Sequence, residues 1–458
     1  MVARLRRRGT GLGRIMAVER ISLITALFLL CSALSSCIVW RGAGHEPTLP
    51  TASEATGQPT DASENTDATS DPISGMSSKN LGGAAVVVTC PDISYYSADG
   101  DGVFDGALTE RTSAIQGKFN VALAFSEASA DTVISDLRSA VQSGAFYSDL
   151  VALPMSYFGR AVRDGLVRPL EGVQSQAELS YRGSVYGVPA GGSTVTAYTY
   201  CVYFNASAAA GAGLDLYAEA AAGAWTWQRF YQLVSAMPNA GFTCDDDNEF
   251  VNCFTVSSGF SYTTVADGTV TLNAQTEAFV EALQLARGLI SSGYAPSDDP
   301  RTLFYNGGCL FYIGTVKDAA AFADMPESYG VLPLPSYTAG GQSFSYTSSD
   351  MPVLCIPAGA AGSENSALML QALCLASDGL DDAYVRELLA YSLRDNPSAL
   401  NIMASAQRVK YDFAFAYGPF ADDIANPTYW AAQAAVLEGK SYRTLYGAYA
   451  GNFNRYFE

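Results

Sequence analysis

Histidine is nearly absent from this chain: one residue in 458, His45, is a histidine. His45 lies in a segment with almost no apolar side chains, so we expect it to stay outside any folded core. The folded part therefore has no histidine for a general base, for a Ser-His-Asp triad or for a zinc site built on paired histidines. These classes of enzyme and metal site are excluded.

Positive charge is also scarce. The chain has 26 Lys and Arg residues against 45 Asp and Glu, a formal net charge of −19. Such a chain is a poor partner for nucleic acids or for anionic lipid surfaces. Only 16% of the residues are charged and 49% are hydrophobic, which is typical of a globular protein, and the length allows two or three domains.

The apolar stretch near the N-terminus, Ile21–Leu30, is too short to cross a membrane, which takes about 20 residues. It follows several arginines and is followed by Leu34–Cys37, in which two small residues precede a cysteine. This pattern resembles the signal peptide and lipobox of bacterial lipoproteins. It implies export, cleavage before Cys37 and lipidation of that cysteine. The alternative is an ordinary secretory signal with a chance cysteine, and the true start is either Met1 or Met16.

Residues 37–83 are rich in Ser, Thr, Asp, Glu, Pro, Gly and Ala. A segment with so little to bury cannot offset the entropy lost on ordering, so it is predicted to be a disordered linker. The linker would hold a folded body close to a membrane surface while leaving it free to turn.

The body begins with the β-branched run Ala84–Thr89, which predicts a buried strand, and a second strand is predicted over 149–153. Thr226 and Asn273 are predicted to cap helices whose apolar residues recur at helical spacing. Short buried strands that alternate with helices indicate an α/β fold.

Several motifs resemble those of the family-1 extracellular solute-binding proteins of ABC importers, in the same order and across roughly residues 84–440. The motifs are Tyr186–Pro189 with Gly191–Ser193, Val202–Asn205, Trp225–Trp227 with Phe230, Phe311–Thr315, Tyr329–Pro335 and Arg408–Phe413. The sequence departs from the family pattern at Val316, where Trp is frequent, and at Gln228, where an acid is common.

The resemblance implies a periplasmic-binding-protein-like fold of type II, with two α/β lobes, hinge strands and a cleft between the lobes. The signal peptide would be 1–36 and the linker 37–83. Crossings near 190–193 and 342–349 assign 84–191 plus 343–378 to lobe 1, and 192–342 plus 379–458 to lobe 2.

The function implied is that of the substrate-binding subunit of an ABC importer. It would capture a small solute, predicted to be a mono- or oligosaccharide, and present it to membrane permease subunits. The expected protein is a monomer without catalysis, cofactor or bound nucleic acid, attached by lipid alone to the outer face of the bacterial cell membrane. Two alternatives stay open: a surface lipoprotein enzyme acting on polysaccharide, and a sensor or adhesion lipoprotein that reuses the fold.

Ligands in such folds bind at the carboxyl ends of strands and at helix N-termini, and sugars need aromatic faces with nearby polar groups. Tyr96 and Tyr157 are the candidate aromatic platforms, whereas Asp318 and Asp412 suit helix N-termini. The full set of candidate ligand-binding residues is Tyr95, Tyr96, Ser97, Met155, Ser156, Tyr157, Gly192, Ser193, Trp227, Gly314 and Thr315.

Seven cysteines remain after the predicted signal peptide and Cys37 are set aside. Cys244 and Cys253 bracket an acidic turn and are the best disulfide candidate in an exported protein. That turn, residues 245–249, lacks the glycine and the distal glutamate of an EF-hand. It is predicted to be a solvated acidic turn, and no metal site is expected.

Overall fold

The computed structural model describes residues 73–237, 240–273, 276–360, 363–377 and 379–457. The predicted signal peptide, Cys37 and most of the predicted linker lie outside these residues. The last part of the predicted linker, 73–83, packs against the body: Ile73 is buried, and the Leu81 amide donates a hydrogen bond to the Phe119 carbonyl at 2.8 Å. Ordered chain therefore precedes the predicted first strand.

The strands are β1 Ala84–Cys90, β2 Val121–Glu127, β3 Leu150–Pro154, β4 Ser180–Tyr181, β5 Ser184–Val185, β6 Val188–Pro189, β7 Tyr200–Asn205, β8 Phe242–Cys244, β9 Thr263–Ala266, β10 Thr269–Leu272, β11 Phe311–Thr315, β12 Tyr329–Leu332 and β13 Pro352–Cys355.

The α-helices are α1 Val103–Phe119, α2 Val133–Ser143, α3 Met155–Arg163, α4 Gly192–Tyr198, α5 Ala206–Gly211, α6 Leu216–Ala221, α7 Trp227–Ser235, α8 Asp247–Ser257, α9 Glu277–Gly293, α10 Pro300–Tyr305, α11 Ser363–Leu375, α12 Leu380–Tyr391, α13 Asn396–Ala406, α14 Phe413–Tyr417, α15 Asp422–Ala425, α16 Tyr429–Gln433 and α17 Tyr442–Tyr449. Short 3₁₀ or π turns cover Ile93–Tyr95, Ala177–Leu179, Val316–Phe322, Gly418–Phe420, Ala434–Glu438 and Ala450–Phe457.

The first sheet has the strand order β2-β1-β3-β13-β6. Strands β1, β2 and β3 run parallel, and β13 is antiparallel to both β3 and β6. The apolar run that predicted β1 has Val88 fully buried. The predicted strand at 149–153 is confirmed as β3, whose five residues are all buried.

The second sheet has the order β12-β7-β11-β8, with β7 antiparallel to both of its neighbours and β8 parallel to β11. All residues of β7 and β11 are buried, as expected for strands covered on both faces. Each sheet is therefore the centre of a separate α/β layer structure.

Two chain crossings connect the sheets. The chain leaves the first sheet after β6, forms α4 and enters the second sheet at β7; it returns between β12 and β13. The two crossings are hydrogen-bonded to each other. The Tyr200 backbone amide donates to the Tyr346 carbonyl, and the Ser348 backbone amide donates to the Tyr198 carbonyl, each over 2.8 Å. The residues of the two crossings that pair are 198–200 on the first and 346–348 on the return, and Thr199 bridges Thr347.

The C-terminal helices pack beside both sheets. The sequence-based division assigns all of 379–458 to lobe 2. Helix α12 packs against α1 and helix α14 against α3, both beside the first sheet. Helix α13 packs against β12 of the second sheet. A linear division misses this arrangement because each short helix has its own apolar face, and the sheet it covers is chosen by packing.

The predicted helix starts are partly confirmed. Thr226 caps α7 through its hydroxyl, as predicted, while α9 is capped by Thr276 and not by Asn273. The Asn273 side-chain amide instead donates a hydrogen bond to the Ser261 carbonyl, 2.9 Å away. In the described part of the chain, no helix combines the length and apolar character that crossing a membrane requires.

Candidate ligand-binding cleft

A cleft of about 600 Å³ opens where the two crossings meet the edges of the sheets. One wall comes from the second sheet, at the carboxyl end of β8 and the first turns of α8. The floor is the crossing segment, with Tyr200 and Tyr346, and the opposite wall is the short turn just before β13. The C-terminal helices α14 and α16 close one end. The cleft is thus located at strand ends and at a helix N-terminus, as expected for a ligand site of this kind of fold.

Polar groups of the cleft are mostly hydrogen-bond acceptors on one wall. Asp246 caps α8 by accepting hydrogen bonds from the amides of Asn248, at 2.7 Å, and Glu249, at 3.2 Å. Because Asp246 occupies these donors, the helix N-terminus does not offer them to an anion. The carboxylate and side-chain amide groups that line the cleft are Asp245, Asp246, Asn248, Glu249, Asn252 and Asp350.

Aromatic rings form a row along the floor and one end of the cleft. Tyr200 and Tyr346 stack at 5.8 Å, Tyr346 meets Phe415 edge-on at 4.9 Å, and Phe415 lies 6.0 Å from Tyr429. Tyr200 and Tyr346 are nearly buried, whereas Phe415, Tyr429 and the neighbouring Trp430 are half-exposed. The half-exposed rings are the ones that can offer a face to a ligand.

Glu249 is held at the base of the acidic wall. Burial raises its pKa above the ordinary value, and hydrogen bonds from Tyr346, Ser349 and Asn252 counter part of that shift. The Asn252 amide nitrogen lies 3.2 Å from the Glu249 carboxylate and 3.3 Å from the Tyr346 hydroxyl. Three neutral donors therefore orient this carboxyl group.

Asp245 is the one cleft carboxylate that forms an ion pair among the described residues. Arg301 approaches it at 3.2 Å and also contacts Asp318 at 2.9 Å, so one guanidinium serves two carboxylates. Asp318 is buried and forms a capping box with Thr315, which confirms its predicted role at a helix start. Burial raises the pKa of Asp318, and the nearby Arg301 opposes that shift.

A family model described as "Bacterial extracellular solute-binding protein" matches residues 110–385. The chain belongs to this family of extracellular solute-binding proteins. The two α/β sheets joined by paired crossings are the two-lobed fold that the motifs predicted. We refer below to the halves built on the first and second sheets as lobe 1 and lobe 2.

Solved structures with the same fold cover most of this binding protein. A cyclic α-maltosyl-1,6-maltose binding protein from Arthrobacter globiformis matches with a TM-score of 0.57 and 15% identity, over 82% of this chain and 99% of its own. A cyclo/maltodextrin-binding protein complexed with maltotetraose matches with a TM-score of 0.55 and 15% identity, over 82% and 97%.

The sugar-binding protein MalE of Xanthomonas citri matches with a TM-score of 0.55 and 14% identity, over 81% of this chain and 98% of its own. The search of curated proteins returned no match. At these identities the likeness establishes the fold.

The loop after β1 does not supply a sugar platform in this structure. Tyr96 is 1% exposed, its ring lies under the Arg111 guanidinium, and the Arg111 side chain donates to the Tyr96 carbonyl at 2.9 Å. Tyr95 packs between Tyr198 and Tyr384. Ser97 is half-buried at the end of the same turn. Helices α4 and α12 cover this loop, which is why its rings are part of the core.

Residues 155–157 form the first turn of α3, which begins directly after β3, and they lie nearer the cleft. Met155 borders a narrow pocket that shares Tyr346, Ser349 and Phe415 with the cleft, and the Ser156 amide donates to the Ser349 carbonyl at 2.8 Å. Tyr157 is half-buried, with its ring 5.7 Å from that of Phe420. This helical turn supports the cleft from lobe 1.

The remaining predicted residues are buried in supporting positions. Trp227 is fully buried and its indole nitrogen donates to the Ser257 hydroxyl at 2.8 Å. Gly314 and Thr315 end β11, and Thr315 pairs with Tyr200 of the cleft. Ser193 is 1% exposed.

Gly192 begins α4 with a φ of +40°, and a Cβ there would lie 2.7 Å from the Ser377 carbonyl. The glycine is therefore needed for close packing against the end of α11 as well as for its backbone angle.

The predicted disulfide between Cys244 and Cys253 is not formed: both residues are free and buried. Cys244 ends β8, and its thiol contacts the Asp247 carboxylate at 3.6 Å, whereas Cys253 lies inside α8. Sequence spacing suggested a short loop, but the helix between them directs Cys253 into the core. The pKa of each thiol is raised by burial, so both favour the neutral form.

Sequence reasoning missed the acidic wall and the aromatic end of the cleft. Residues 245–249 were predicted to be a solvated acidic turn, and 245–248 are exposed, but no strand was predicted before them, so their place at a strand end was not foreseen. Tyr429 and Trp430 lie far along the chain in one short helix, and nothing in the local sequence indicated that they reach the cleft. Within the described residues, no group of three or more His, Cys, Asp or Glu side chains is arranged to hold a metal ion.

Proposed function

We propose that this protein is the substrate-binding subunit of an ABC importer and that it captures an oligosaccharide in the cleft between its lobes. The observation that carries the proposal is the combination of half-exposed aromatic rings with a wall of carboxylate and amide groups in one cleft of about 600 Å³. Sugar rings have apolar C–H faces that pack on aromatic rings, and their hydroxyls need hydrogen-bond partners.

The size and location of the cleft fit this function. Cavities that hold small ligands measure about 300–1,000 Å³, and the paired crossings provide a hinge between the walls. A ligand that contacts both walls stabilises the closed state more than the open one, and a membrane permease can bind the closed form selectively. Relatives of the same fold whose titles name maltotetraose and cyclic maltosyl-maltose support a carbohydrate ligand.

Calorimetry and small-angle X-ray scattering with a panel of mono- and oligosaccharides test the proposal. The cognate sugar should bind, raise the melting temperature and lower the radius of gyration. Binding without compaction would contradict the hinge mechanism, and conversion of the sugar into products would favour an enzyme of surface polysaccharide.

The proposed anchoring rests on the sequence Leu34–Cys37, which lies outside the described residues. Lipid on Cys37 would retain the protein at the outer face of the cell membrane, next to the permease subunits. Cys37→Ser should release the protein into the medium or block its processing, with the melting temperature of the body unchanged. Normal processing and membrane retention of the variant would contradict lipidation.

A further inference from the structure

The charge of the cleft is negative on every charged side chain that lines it. Asp245, Asp246, Glu249 and Asp350 contribute carboxylates, and the lining includes no lysine, arginine or histidine. The carboxylates come from both sides of the hinge, since Asp350 precedes β13 of lobe 1 and the other three belong to lobe 2. Closure of the lobes would bring these groups toward one ligand.

Little of this charge is compensated by the protein. Arg301 pairs with Asp245 but is shared with Asp318. Within the described part of the chain, no Lys or Arg forms a salt bridge with Asp246, Glu249 or Asp350. A neutral sugar would leave the mutual repulsion of these groups in place when the cleft closes and water is excluded.

Asn252 also lines the cleft, although only 5% of its surface is exposed. Its amide nitrogen faces Glu249 and Tyr346, so the orientation of the amide is set by a carboxylate. Its carbonyl oxygen, Oδ1, is buried and has no hydrogen-bond partner. A buried acceptor without a donor is unfavourable by about 1–3 kcal/mol, so a donor that a ligand brought to this oxygen would be favourable.

We propose that the ligand carries at least one ammonium group, as an amino sugar or an oligosaccharide containing one. An ammonium offers three N–H donors and no acceptor, which suits Glu249 together with the Asn252 Oδ1. Its positive charge offsets the repulsion among the carboxylates. The ring of Tyr429 can stabilise a nearby cation, whereas the Lys440 ammonium already lies 5.5 Å from the centre of the Trp430 ring. This inference rests on the proposed function, because it names the class of sugar for the same cleft.

The test compares three β-1,4-linked trisaccharides that differ at one substituent per ring: the glucose trimer with a hydroxyl, the glucosamine trimer with an ammonium, and the N-acetylglucosamine trimer with a neutral amide. Binding to the chain without its predicted signal peptide is measured by calorimetry near neutral pH. We expect the glucosamine trimer to bind at least about tenfold more tightly than the other two, equivalent to about 1.4 kcal/mol. The advantage should shrink as salt is added.

Variants assign the effect to the cleft. Glu249→Gln and Asp350→Asn each remove one charge with little change in shape, and each should reduce the preference for the ammonium trimer. Glu364→Gln is the matched control, because Glu364 lies on α11 with its side chain 92% exposed and is not among the residues that line the cleft. Circular dichroism and melting temperature check that each variant is folded.

The outcomes separate the two proposals. Equal or weaker binding of the glucosamine trimer, with a neutral trimer bound, would overturn the ammonium inference and leave the sugar-binding function intact. If all three variants keep the preference for the glucosamine trimer, the cleft carboxylates do not cause it, and the inference is overturned. Failure of every neutral and amino sugar, including glucosamine and α-linked glucose oligomers, would contradict the sugar-binding function itself.

Discussion

The loop after β1 and the loop after β8 both lie at the carboxyl end of a strand. Only the loop after β8 lines the cleft. The first has the adjacent rings Tyr95 and Tyr96 and was predicted to bind sugar, but both rings are buried. The second, residues 245–249, was predicted to be a solvated acidic turn; residues 245–248 are indeed exposed, and the segment also forms one wall of the cleft. A position at a strand end makes a loop available to a ligand, and the elements that cover the loop decide whether it is used.

The cover over each loop explains the difference. Helices α4 and α12 lie over the first loop, where Tyr95 contacts Tyr198 and Tyr384. The second loop opens directly into α8, whose cap, Asp246, holds the backbone in place while its neighbours face the cleft. Four experiments test whether the two loops differ in this way.

Tyr96→Ala should have the largest effect on stability. Removing a fully buried aromatic ring costs about 3–5 kcal/mol, and here it also uncovers the buried Arg111 guanidinium, whose pKa burial lowers to about 10. Urea unfolding of the purified variant measures the change. Tyr157→Ala, at a half-buried ring, is the control and should cost clearly less. A Tyr96→Ala variant of normal stability that fails to bind ligand would restore Tyr96 as a binding residue.

Asp246→Ala removes the cap of α8 and should lower the free energy of unfolding by about 1 kcal/mol. The loss is smaller than for Tyr96→Ala because the loop after β8 contributes few buried contacts of its own. Asp246→Asn retains a capping oxygen and should recover most of the stability. A loss as large as that of Tyr96→Ala would show that the acidic loop is part of the core.

Glu249 should make stability depend on pH in a defined direction. Burial raises its pKa in the folded protein, so this carboxyl stabilises the fold below its ordinary pKa, and the contribution is lost as pH rises through the raised value. Glu249→Gln removes this titration. The melting temperature of the variant relative to the unsubstituted protein should therefore increase as the pH rises above the ordinary pKa of glutamate, about 4.3. If this difference in melting temperature stays constant with pH, the pKa of Glu249 is not raised in the folded protein.

Reduction should have no effect on stability. Cys244 and Cys253 adjoin the acidic loop as free buried thiols, so the melting temperature should be the same with and without a reducing agent. A disulfide would instead contribute about 2–4 kcal/mol. Mass spectrometry after alkylation of the unfolded, unreduced chain should find both residues modified. A linked pair of peptides would reinstate the bridge.

Much of the fold could be predicted from local sequence. The apolar runs that became β1 and β3 contain enough β-branched and aliphatic residues to be buried in any arrangement of the chain, and the Thr226 cap acts within a single turn. Asp412 likewise caps α14 through its own neighbours, as predicted. These features depend on residues a few positions apart, so a single sequence contains the whole interaction.

The binding surface depends on residues that are distant in the chain. Tyr200, Glu249, Tyr346 and Trp430 meet at one cleft only because two crossings and several short C-terminal helices bring them there. Each of these side chains is equally compatible with a core, a surface or a site when its neighbours in sequence are considered alone. Local sequence therefore accounts for most of the strands and helices, for the family and for the excess of acidic groups. Which rings are buried and which carboxylates line the cleft depends on the packing of distant segments, because the burial of a residue is set by what packs over it.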